Sequence, residues 1–215
     1  MSAGFVEVND DIRSDLDVEN EFDQVIDTCE IDDFDDGGDF LDFDETPFSL
    51  SAGETITVTS AAGTYATLLM NSAAGLIVYI PEEELVSPLP QNLIVDIPGD
   101  QFPAFSNVSI PNVNALDVSP TPQETITGNT NFQWTGTTQT FSFLTIEASF
   151  DTNTGFVDVV CIARDDGSFS FPANISSQVG GSEASFVEIS RTGFDVVFNG
   201  DSQLLVFNIF EQIEQ

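Results

Sequence analysis

The chain has 215 residues, 41% of them hydrophobic, with 37 acidic side chains against three basic ones and no histidine, for a formal net charge of −34. That length accommodates one large β domain or two small ones, and so acidic a surface makes nucleic acid and anionic membrane poor partners. The three cations are Arg13, Arg164 and Arg191; with neither lysine nor histidine, the commonest general base, the Ser-His-Asp and Cys-His arrangements and the Schiff-base lysine are all absent, and catalysis is not expected.

Residues 1–46 read as an acidic N-terminal arm. It opens on a short β-like segment, GFVEVND (4–10), and Asp or Glu fills 18 of the first 45 positions. The run IDDFDDGGDFLDFDE (31–45) predicts disorder by charge. Yet Phe34, Phe40, Leu41 and Phe43 recur through it, which suits a segment that folds down once cations neutralise it. Calcium takes about six to eight oxygen ligands, supplied by carboxylates at alternating loop positions around a glycine turn. With Asp33 at the first position, Asp35 falls at the third, Gly38 at the sixth and Asp44 at the twelfth, with Asp39 and Asp42 between. Gly37 stands where Asp or Asn belongs, and no helical pattern flanks the run, so it fails as an EF-hand. Asp33, Asp35, Asp39, Asp42 and Asp44 are the candidate ligands of an irregular calcium loop; a solvated acidic run is the competing reading.

From Pro47 the pattern turns to β. GETITVTS (53–60) alternates Ile56 and Val58 with threonine, the period of a half-buried strand. YATLLMNS (65–72), GLIVYI (75–80) and NLIVDIPG (92–99) follow, and Glu82–Leu85 has room for one helical turn. Residues 98–122 hold five prolines and read as an extended, poorly paired connector. A second strand series runs through NFQWT, TFSFLTIEASF, GFVDVVCIARD, GSFSFPA, ASFVEISRT, FDVVFNG and QLLVFNIF, with turns at Asp166-Gly167 and Asn199-Gly200. Asp165-Asp166 beside Arg164 is read as part of the first of these turns, not as a glycosidase carboxylate pair. Alternation predicts a core of Trp134, Phe143, Ile146, Val157, Val159, Cys161, Phe169, Phe171, Val187, Ile189 and Leu205. Trp134 has a second reading, as a platform on which a sugar stacks.

The elements Trp134, GFVDVVCIARDDGSFSFPA (155–173), FVEISR (186–191) and VDIPGDQFPAF (95–105) resemble uncharacterised secreted or lipoprotein-type β-sandwich proteins of marine bacteria, over residues 50–210. That resemblance implies a fold and an exported location, and no activity. Antibody-type domains are a poorer match, because no second cysteine precedes Trp134 to pair with Cys161. Cys29 and Cys161 leave two states open, one long-range disulfide or two free thiols. The N-terminus shows neither the basic nor the apolar region of a signal peptide, and no apolar stretch approaches the roughly 20 residues of a membrane span.

The expected fold is all-β: two sandwich-like antiparallel domains, Ig-like or jelly-roll-like, at 47–120 and 121–215, behind the acidic arm at 1–46. The expected role is a non-enzymatic extracellular or cell-surface structural subunit, assembling with copies of itself or other surface proteins and stabilised by calcium. The rival is a monomeric carbohydrate-binding or adhesion module. Assembly draws on the β-like segment near the N-terminus, the apolar strand at 203–210, and the lack of the lysines that commonly guard sheet edges.

Overall fold

The computed structural model describes residues 3–4, 25–32, 50–73, 76–83, 85, 89–136, 142–200 and 202–214. They form an all-β, sandwich-like protein with antiparallel pairing throughout the described registers. Two compact units emerge. One contains the N-terminal segment, residues 40–112 and residues 194–208; the other contains residues 17–39, 113–193 and 209–215.

The first unit is built on a six-stranded sheet. Its strands are β1 (Ala3–Gly4), β3 (Thr55–Ser60), β4 (Gly63–Ala73), β5 (Leu76–Pro81), β6 (Ile94–Ile97) and β7 (Phe105–Ser109), in the order β1-β5-β4-β3-β6-β7. Ile56 and Val58 of β3 are buried while the threonines beside them are not, as the period of two requires. Leu68, Tyr79, Val95 and Ile97 join them in one apolar cluster, with Leu204, Val197 and Val206 packed against it. Tyr79 is fully buried without an orphaned hydroxyl: its oxygen accepts from the Ala52 amide (2.8 Å) and donates to the Gly53 carbonyl (2.7 Å).

The second unit packs two sheets around one core. The larger sheet has the strand order β14-β13-β10-β11-β2, with β2 (Thr28–Asp32), β10 (Ser142–Thr152), β11 (Gly155–Arg164), β13 (Ala184–Asn199) and β14 (Ser202–Glu214); residues 184–193 and 209–214 of the last two belong to this unit, and residues 194–199 and 202–208 to the first. The smaller contains β8 (Val118–Ser119), β9 (Asn131–Trp134) and β12 (Ser168–Ser170). Leu144, Ile146, Ala148 and Phe150 of β10 face Phe132, Phe169 and Phe171 in the shared cluster. Phe171 meets Phe132, Phe150 and Phe169 edge-on, at 5.7–5.9 Å between ring centroids. Register sets Cys29 opposite Cys161, and the two form a disulfide spanning 132 residues. Of the two cysteine states open in the sequence, the structure takes the bridged one, which fastens a strand of the acid-rich segment to β11.

The expected core holds at Trp134, Ile146, Val159, Cys161, Phe169, Phe171, Val187 and Ile189, all buried, with Val157 partly so. Phe143 is a correction: Ser142 and Leu144 take the inward positions, which puts Phe143 on the other face. The Leu205 side chain lies outside the described part. The proline-rich connector is not unpaired either, since β7 pairs with β6 and β8 with β9. ASFVEISRT and FDVVFNG form one continuous strand, β13. A helix, α1, runs over Ala173–Val179, and the turn expected at 82–85 is replaced at Glu82 and Glu83 by a bend.

The outward face of the larger sheet bears the cost of the acidic composition. Register places Glu147 directly opposite Glu188 on one side and Val160 on the other, with Glu30 opposite Val160. Like charges directly opposed across strands destabilise a sheet by roughly 0.2–1 kcal/mol. Glu147→Gln should therefore raise stability by about that amount at low salt, with the gain vanishing near 1 M NaCl as the screening length falls to about 3 Å. Urea unfolding at the two ionic strengths checks this; a gain that persists undiminished in high salt would assign the effect to something other than charge.

Candidate functional site

The two described cations, Arg164 and Arg191, occupy defined places in the second unit. Alternation along β13 buries Val187 and Ile189 and puts Arg191 on the same inward face. A guanidinium there must be paired, because an unpaired buried charge is prohibitive. Its partner is Asp165, in the turn between β11 and β12. Arg191 Nη2 lies 3.0 Å from Asp165 Oδ1, and Nε lies 2.9 Å from Oδ2 in an ion-pair contact that is off the N–H axis. The side chains are 4% and 2% exposed. Asp165 accepts two further hydrogen bonds, from Trp134 Nε1 (2.8 Å) and Ser142 Oγ (2.7 Å). Arg191 Nη2 also donates to the Thr135 carbonyl at 2.6 Å, and Nη1 reaches the carbonyls of Asn114 and Ala115 at 3.4 and 3.5 Å.

Local backbone chemistry brings Asp165 to this place. Gly167 closes the turn at φ +111, in a region that side chains disfavour, and its carbonyl accepts from the Trp134 amide at 3.0 Å. A Cβ on Gly136 would sit 2.9 Å from the Asp166 backbone, so only glycine permits the approach. The reading of Asp165-Asp166-Gly167 as a turn holds, but the burial of Asp165 is additional to it. Trp134 is 8% exposed, with its ring in the core and its N–H on Asp165, so it is no sugar platform. Every oxygen of Asp165 is engaged inside the unit, and the network ties β9, β10, the β11–β12 turn and β13 together. Its chemistry is that of a structural clamp.

The second described arginine, Arg164, holds the exposed start of β2. Its Nε lies 3.5 Å from Asp27 Oδ2, and its amide donates to Asp27 Oδ1 at 2.8 Å. The predicted calcium ligands Asp33, Asp35, Asp39, Asp42 and Asp44 lie outside the described residues. Among the described residues, no group of three or more His, Cys, Asp or Glu is placed to hold a metal ion, and no helix is long and apolar enough to cross a membrane.

Two surface features remain. A shallow groove of about 530 Å³ runs between the β10–β11 hairpin tip and the end of α1, where Thr152, Asn153, Thr154, Gln178, Gly181 and Ser182 line it without a charged group among them. The sheet edges form the other. Among the described residues, β1 pairs along β5 at two positions, Ala3 opposite Tyr79 and Gly4 opposite Val78. β2 and β14 bound the larger sheet. β2 carries the exposed Glu30, whereas residues 202–208 of β14 are uncharged.

Removing one partner of a buried ion pair costs about 3–5 kcal/mol. Arg191→Leu should lose that much by urea unfolding, followed through Trp134, the chain's single tryptophan. Adding Asp165→Asn should recover part of the loss, because the stranded carboxylate goes with it. A single variant within about 0.5 kcal/mol of the parent would show that the clamp does not hold the unit.

Compared with known protein families, characterised proteins and solved structures, the chain matches none.

Proposed function

We propose that the chain is a non-enzymatic structural subunit of an extracellular or cell-surface assembly, built by exchange of its N-terminal strand between copies. The observation that carries the reading is β1. The two described residues of this strand contribute few main-chain hydrogen bonds, each worth about 1 kcal/mol net, and they stand at the end of the strand order of a six-stranded sheet. Beside it on β5, Val78 and Ile80 are exposed. An edge filled so lightly by the chain's own terminus accepts the same segment from a neighbour, with Phe5, Val6 or Val8 as apolar anchors worth roughly 1.5–3 kcal/mol each when buried.

The Cys29–Cys161 disulfide supports placement in an oxidising compartment. Repulsion between subunits of charge −34 opposes assembly, so the reading includes calcium, bound through Asp33, Asp35, Asp39, Asp42 and Asp44, as the ion that permits close approach. One observation favours the rival module: the groove beside α1 offers hydroxyl, amide and backbone groups without charge, suited to a neutral sugar.

Deleting residues 1–10 should abolish polymer formation in calcium-containing brine while leaving unfolding unchanged, and chelator should weaken the polymers of the full chain. Light scattering reads both. Truncated chains that still polymerise would rule out the arm as the linker, and a clean monomer that binds neutral glycans on an array would favour the module.

A further inference from the structure

We propose that residues 202–208 of β14, with Phe198 and Phe207, form a face on which a second copy of this chain docks, β14 pairing antiparallel with its own counterpart about a two-fold axis. The proposal rests on the reading of the chain as a self-assembling subunit and names a second contact for it, on a surface other than the arm.

The first observation is the edge itself. Among the described residues β14 ends the strand order of its sheet, hydrogen-bonded to β13, and no other described strand pairs with the far side of its backbone, which presents N–H and C=O groups. Leu204 and Val206 turn toward the core of the first unit, which fixes the strand's register and leaves the alternate positions facing away. Phe207 is one of these; it is 51% exposed and lies 6.0 Å from the ring of Phe194. Phe198, on the adjoining stretch of β13, is 69% exposed. Two open phenylalanines beside an open strand edge are a surface that aggregates unless something covers it.

Charge identifies the occupant. A foreign acidic or basic partner finds nothing to pair with here, because residues 202–208 carry no charged side chain. For a copy of the same chain, that neutrality is the requirement. The protein has 37 acidic side chains, and antiparallel self-pairing over residues 202–208 sets none of them directly opposite another within that stretch; Asp201 and Glu211, which flank it in the sequence, make the contact favoured by high salt. The opposite edge of the same sheet, at β2, presents Glu30 and would repel its own counterpart. An antiparallel strand laid against itself is self-complementary, so the contact closes at two copies.

The test uses the full chain with Phe5→Asp and Val8→Asp, which disable the arm, in about 1 M NaCl, where charges are screened within about 3 Å. Sedimentation velocity at about 100 µM should show a dimer. Adding Phe198→Ser and Phe207→Ser should raise its dissociation constant at least about tenfold, with the circular dichroism of the parent. Should the double replacement unfold the chain, Phe198→Ser alone, at the more exposed position, should still weaken the dimer. An arm-disabled chain that stays monomeric overturns the proposal, as does a dimer indifferent to Phe198. An unmodified chain that forms dimers but no polymers would instead sink the assembly reading and leave this contact standing.

Discussion

Thirty-seven carboxylates against three guanidinium groups set the terms on which this chain folds and meets other molecules. Most acidic side chains have no cation to pair with, so they must sit in water or bring ions with them. Where strands force them together, as at Glu147 and Glu188, the sheet carries the strain of like charges. The long-range cross-links are correspondingly few and specific: one disulfide, one exposed ion pair and one buried ion pair are described, all within the second unit.

The buried pair shows how a charge-poor core tolerates charge. Arg191 meets Asp165 and three main-chain carbonyls, while Asp165 also takes the indole N–H of Trp134 and the hydroxyl of Ser142. Each group is neutralised or hydrogen-bonded by an element of the same unit, so the desolvation that would expel a lone charge is offset. The clamp and the disulfide hold different elements to the same sheet. Arg191 binds the β11–β12 turn to β13, and Cys29 binds β2 to β11.

Much of this is written in the sequence's periods, some of it at positions where the period continues past the apolar residues. The parity of Ile56 and Val58, or of Val187 and Ile189, marks inward faces directly. Extended by two residues, the second parity reaches Arg191, and an inward arginine demands a buried carboxylate nearby. Extended back from Ile146, the same rule gives Leu144 and not Phe143, so the expected core named a residue of the opposite parity. The connector's prolines at 103 and 111 flank residues 105–109 without entering them, so β7 violates no rule. Other features are not legible, because they join distant residues. Nothing local in TCEID says that it will pair with a strand 132 residues away, and the neutral groove arises only where residues 152–154 meet residues 178–182.

Neutral edges on an acidic molecule give the account of function its physical content. In the proposed assembly β1 is the exchanged strand and residues 202–208 the uncharged edge, and repulsion between copies of net charge −34 opposes their approach. Such a protein should respond to ionic strength opposite to one held together by ion pairs, which salt weakens. Light scattering from the unmodified chain, as salt rises from about 0.01 M to about 1 M, measures this directly. The weight-average mass should climb as the screening length shortens. A monomer at every salt concentration, or a mass that falls as salt is added, would contradict it.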